Sequence, residues 1–88
     1  MTLEKLRARI DALDSKLVKL LNDRAGIALE IGRIKRGKGI ATHIPSREKA
    51  ILARVNRLSR GPMSKASLRS VYREIMAACR ECQKEQKH

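Results

Sequence analysis

An all-α fold of three helices, the first much longer than the others, is predicted by three features of the 88-residue sequence. Apolar residues recur at alternating three- and four-residue intervals, the spacing of one helix face. Both prolines fall in short breaks, 37–45 and 61–62, that also hold glycine. Thr2, Ser46 and Ser64 stand near the helix starts, where side-chain oxygens cap free backbone N–H groups.

The first helix is expected over residues 2–36, with Thr2 as cap, Glu4 in the first turn and Gly37-Lys38-Gly39 as the stop. Its apolar seam runs Leu3, Leu6, Ile10, Leu13, Leu17, Leu20, then Arg24, then Ile27, Ile31 and Ile34. At about 1.5 Å per residue it is a rod of roughly 50 Å, whereas a compact chain of this length has a radius of gyration of only about 12 Å. The rod overshoots its own domain. Its stripe therefore needs cover from another chain, and a homodimer is the simplest arrangement that supplies it. Gly26 costs the helix about 1 kcal/mol against alanine and is expected to mark close approach of another backbone.

The second helix is expected over 46–59, with Ser46 after Pro45 as its cap and Ile51, Leu52, Val55 and Leu58 as its apolar face. One turn earlier on that stripe lie Arg47 and Glu48. Gly61-Pro62 separates this helix from a third, over 64–84, capped by Ser64. Leu68, Val71, Tyr72, Ile75, Met76, Cys79 and Cys82 form its apolar face, and Gln83 follows Cys79 on it. The polar tail from Lys84 to His88 is expected to fray. Residues 1–88 read as a single domain with a modest core, burying roughly 60 to 65% of the unfolded surface.

A net charge of +12 and a pI near 10.7 attract anions, nucleic acid among them. Single-strand binders stack bases on aromatic side chains, and Tyr72 is the one aromatic residue, so no nucleic-acid partner is expected. No uncharged apolar run approaches the ~18 residues of a membrane span, and residues 1–5 hold no apolar signal core. The expected location is the cytoplasm, with no membrane partner. Cys79 and Cys82 lack the second ligand pair of a zinc site, so no metal is expected, and Cys79 reads as a core-packing thiol.

Polar groups sit on the face of each helix that should be apolar: Arg24 and Lys35 on the first, Arg47 and Glu48 on the second, Gln83 on the third. Taken singly, each has an ordinary explanation. Arg24 can pair with Glu30 or a partner's acid; Lys35 and Glu48 can complement helix dipoles; Arg47 and Gln83 can be solvated. Together they make a pocket. A guanidinium stays charged, and burying it unpaired costs several kcal/mol, so the seam must meet an anion at Arg24. Cations outnumber inward acids, which calls for a ligand with two or more negative charges. Arg7 and Asp14 lie beside the seam on the flank of Lys35, where a partner helix would pack. No nucleophile stands next to a base. The inventory fits a reaction needing only anion clamping, orientation and electrostatic stabilisation, of which a pericyclic rearrangement is one.

The segments Leu6-Arg7-Ala8-Arg9-Ile10-Asp11-Ala12-Leu13-Asp14, Leu20-Leu21-Asn22-Asp23-Arg24, Glu30-Ile31-Gly32-Arg33-Ile34-Lys35, Pro45-Ser46-Arg47-Glu48 and Tyr72-Arg73-Glu74-Ile75 through Gln83 resemble the all-helical, AroQ-type chorismate mutases. The likeness covers nearly the whole chain in order. It is especially close to the mutase modules fused to other enzymes of aromatic amino-acid synthesis.

The resemblance implies an intertwined homodimer of three-helix subunits that converts chorismate to prephenate without metal or cofactor. By position, Arg24 would bind a substrate carboxylate and Arg7 would reach the neighbouring subunit's site. Lys35 would contact a carboxylate and the ether oxygen, Gln83 would donate to that oxygen, Arg47 would add charge near the ring carboxylate, and Glu48 would accept from the ring hydroxyl. Cys79 stands where many relatives have serine and Ile44 where many have aspartate; both are poorer partners for a polar substrate. Two other readings share the pocket: a lyase of the same fold that eliminates pyruvate from isochorismate, and a non-catalytic module that binds prephenate or chorismate.

Overall fold

Helices α1 (Leu3–Gly37), α2 (Pro45–Leu58) and α3 (Lys65–Glu85) make up the computed structural model, which describes residues 1–85. Residues 86–88, part of the tail expected to fray, lie outside the described residues, while Lys84 and Glu85 are helical.

The ends of α1 follow from its sequence. Thr2 is extended, and its side-chain oxygen accepts the Lys5 amide at 3.1 Å. At the other end the Gly39 amide donates to the Arg36 carbonyl at 3.2 Å and the Ile40 amide to the Lys35 carbonyl at 2.7 Å. That pair of bonds is a Schellman motif, which needs a left-handed residue, and Gly39 supplies it with φ of 70°. Gly37, expected to share in stopping the helix, is instead its last helical residue. The motif anchors the turn that carries Lys35.

Helix α2 starts one residue earlier than expected and is not capped by Ser46. Ile44 holds the cap position without a side-chain bond, and Pro45 begins the helix. Proline at the first helical position lacks only an N–H that would have no partner there, and its fixed φ suits the helix, so it displaces serine from the cap. Helix α3 is capped as expected: the Ser64 hydroxyl oxygen accepts the Ser67 amide at 3.1 Å.

Helix α3 packs against both α1 and α2, while among the described residues α1 and α2 make no close backbone approach to each other. The buried apolar core is small, made of Val55, Met76 and Cys79. Leu58, assigned from sequence to the inner face of α2, is exposed because the helix ends there. The rod is as long as the periodicity implied: the molecule extends 54 Å, with a radius of gyration of 16.0 Å. Every residue from Met1 to Leu20 is exposed, so half the seam has no cover within the chain; Leu13 is 62% and Leu17 52% exposed.

Gly26 does not mark close approach within the chain, since a Cβ there would meet nothing within 4 Å. The close approach is at Gly32, the one buried residue of α1.

Gly37 and Gly39 should respond oppositely to alanine. Gly37 is helical with open space around it, so Gly37→Ala should raise stability by up to about 1 kcal/mol in urea unfolding. Gly39→Ala should lower it by about 1 kcal/mol, because a Cβ is strained at positive φ. Equal effects at the two positions would contradict the assigned helix end.

Candidate active site

Because α3 holds α1 and α2 apart, a gap remains between them. It forms a cavity of about 290 Å³ whose lining includes Arg24, Lys35, Arg47, Glu48, Cys79 and Gln83. The volume is near the lower end of small-molecule sites, roughly 300 Å³ and above. Six of the seven residues singled out from sequence thus meet in one place. Ile27, Ile31, Ile44, Ile51 and Met76 supply apolar wall between the polar groups.

Arg24 is half-buried, and its guanidinium donates to the Cys79 sulfur at 3.2 Å. A thiol is a weak acceptor and carries no compensating charge. Among the described residues, no acid pairs with Arg24, Lys35 or Arg47, so the alternative of an Arg24–Glu30 pair is not realised. Cys79 serves both as part of the small core and as part of the pocket wall. Lys35, in the last turn of α1, is half-buried, whereas Arg47 is exposed at the rim.

Glu48, in the first turn of α2, is the acid among these six residues, and it is already engaged. The Arg80 guanidinium donates to one carboxylate oxygen, and His43 Nε2 lies 3.5 Å from the other. Arg80 also lines the cavity and was missed from sequence. Its signal was present: it falls four residues after Met76 and three before Gln83, on the same stripe, but it reads as one more solvated arginine in a basic chain. Its effect is to offset the charge of Glu48, leaving Arg24, Lys35 and Arg47 as uncompensated cations.

Gln83 is only 8% exposed, and its side-chain nitrogen donates to the Ala28 carbonyl at 2.7 Å. A carbonyl requires a donor opposite it, so this bond fixes which end of the amide faces α1. The second N–H of that nitrogen has no acceptor among the described residues.

Arg7 is exposed and outside the cavity. It precedes Arg24 by about 25 Å along the rod at ~1.5 Å per residue, beyond the reach of any side chain. Cys82 faces a separate apolar groove between α1 and α3. No cluster of potential metal ligands occurs among the described residues. No described helix is long and apolar enough to cross a membrane.

Three cations without an acid partner and a fixed amide donor thus line a part-apolar cavity, a chemistry suited to a small organic anion. Known proteins are similar to this chain in sequence and in fold. The chain is 37% identical over 86 residues to the bifunctional chorismate mutase/prephenate dehydratase of Aquifex aeolicus, covering 93% of this chain and 24% of that protein. The chain thus spans about a quarter of that relative's length. Chorismate mutase of Thermus thermophilus superposes with a TM-score of 0.93 at 27% identity, covering 98% of each chain. Chorismate mutase of Helicobacter pylori, solved in complex with prephenate, superposes with a TM-score of 0.86 at 37% identity, over 94% of this chain and 90% of that one. The sequence model of type II chorismate mutases matches residues 6–84, nearly all of the three-helix fold: this chain belongs to the type II chorismate mutase family.

Proposed function

We propose that this chain rearranges chorismate to prephenate in the gap between α1 and α2. The observation that carries the proposal is Arg24, a half-buried guanidinium on a cavity wall whose hydrogen-bond partner is the sulfur of Cys79 and not a carboxylate. Chorismate and prephenate each carry two carboxylates, the charge that the unpaired cations call for.

In this reading Arg24 grips the side-chain carboxylate, and Arg47 adds positive charge near the ring carboxylate. Lys35 and the free N–H of Gln83 meet the ether oxygen. Glu48 accepts from the ring hydroxyl. The ether C–O bond breaks as a C–C bond forms between the enolpyruvyl methylene and the ring carbon bearing the carboxylate. No proton moves. Negative charge builds on the departing oxygen in the transition state, so donors fixed there stabilise that state more than the substrate. Holding both carboxylates freezes the side chain over the ring, which removes part of the entropic barrier.

The proposal extends to a homodimer, in the cytoplasm, with α1 running between two sites. The bare seam from Leu3 to Leu20 supports it, as does Arg7, which lies too far along α1 to serve its own cavity. A second copy would cover the seam and bring Arg7 to the neighbouring gap.

Loss of chorismate's ultraviolet absorbance on adding the protein tests the activity. With Gln83→Glu, turnover should rise toward acid pH, because only the protonated carboxyl donates to the ether oxygen. A flat profile for that variant, against an active parent, would remove Gln83 from this role. Sharing of sites is tested by mixing inactive Arg7→Ala chains with inactive Arg24→Ala chains. Some activity should return, since half of the mixed dimers' sites keep both arginines. Absence of recovery after verified subunit exchange would rule out a contribution from Arg7 in trans.

A further inference from the structure

We infer that Gly32 is a positioning residue: the missing side chain at this point of α1 is what lets the Gln83 amide lie on the helix and aim its second N–H into the cavity. The inference rests on the reading of Gln83 as donor to the reacting oxygen.

Three observations carry it. Gly32 is buried beneath Gln83, although α1 is otherwise without a buried residue. A Cβ at Gly32 would stand 3.2 Å from Gln83 Cγ and 3.3 Å from Nε2, tighter than ordinary van der Waals contact. The same nitrogen donates to the Ala28 carbonyl at 2.7 Å, one helical turn before Gly32. In a helix every Cα–Cβ bond tilts toward the N-terminus, so a side chain at 32 projects over the carbonyl of 28. It would occupy the place where the amide docks.

A helical carbonyl keeps a second lone pair, which Ala28 offers to Gln83. One N–H of the amide is spent on that bond, and the planar geometry of the group then fixes the direction of the other. Two neighbouring side chains would have to yield to a Cβ. The Arg36 guanidinium nitrogen, also 3.2 Å away, is the far end of a flexible chain and moves easily. Gln83 is held by the α3 backbone at one end and by Ala28 at the other. Displacing it by a few tenths of an ångström lengthens the Ala28 bond and turns the free N–H away from its target.

The test is a double-mutant cycle on turnover, using Gly32→Ala, Gln83→Ala and the pair. Gly32→Ala alone should lower kcat by about tenfold, because misplacement of a catalytic group is felt in the chemical step, with KM changed less than about threefold. In the Gln83→Ala background the same substitution should change kcat by less than about twofold, since no amide remains to displace. Equal losses in both backgrounds would overturn the inference, because Gly32 would then act through α1 itself. So would wild-type kcat in Gly32→Ala. Unaltered turnover in Gln83→Ala has a separate meaning: it removes the donor role of Gln83 on which the inference stands.

Urea unfolding guards against a folding defect. The doubly substituted chain should unfold at a urea concentration no lower than Gln83→Ala, as the close contact is gone. A lower midpoint would show that alanine at position 32 is not tolerated by α1, and would overturn the inference.

Discussion

Arg24 sets the terms for this molecule. A guanidinium keeps its charge wherever the chain takes it, and withdrawing it from water without an anion is costly. Here it leaves the helix seam at the point where α1 meets α3, and what it meets in the protein is the sulfur of Cys79. An internal acid at that position would have made a structural ion pair and closed the gap. A thiol is no acid partner, and in the proposed function an external anion takes that place.

The remaining architecture keeps that gap open. Helix α3 touches both other helices, while α1 and α2 stay apart among the described residues. The Schellman turn at Gly39 anchors Lys35, Pro45 starts α2 so that Glu48 falls in its first turn, and Gln83 is tied to the backbone of α1. Arg80 has a quieter role. By engaging Glu48 it orients the one acid of the site and preserves the excess of positive charge around it. The cost of this open design is a core of only three buried apolar residues among the described ones and a long bare seam, which is why a second copy belongs in the functional proposal.

Much of this was legible in the sequence because helices encode their faces by spacing. The period of Leu3 to Ile34 gave the length and direction of α1, and the polar residues breaking that period gave Arg24 directly. Lys35, Arg47, Glu48 and Gln83 followed from the same arithmetic. Local competition was harder to read: Ser46 is a good cap, yet Pro45 at the first helical position prevailed. Arg80 was hidden by composition, since in a chain of net charge +12 an arginine on a helix attracts no notice. The role of Gly32 was out of reach for a different reason. Its neighbour Gln83 is distant in sequence, and nothing in α1 alone distinguishes it from Gly26.

If Arg24 exists for a ligand rather than for the fold, replacing it with an apolar side chain of similar length separates the two. The direct measurement is urea unfolding of the parent and of Arg24→Met, each with and without saturating prephenate. The account predicts that Arg24→Met alone is at least as stable as the parent, because no buried ion pair is broken. It also predicts that prephenate raises the parent's midpoint, as a ligand of the folded state must, and leaves the variant's unmoved. A variant destabilised by about 3 to 5 kcal/mol, as a severed buried pair would be, or one still stabilised by prephenate, would contradict it.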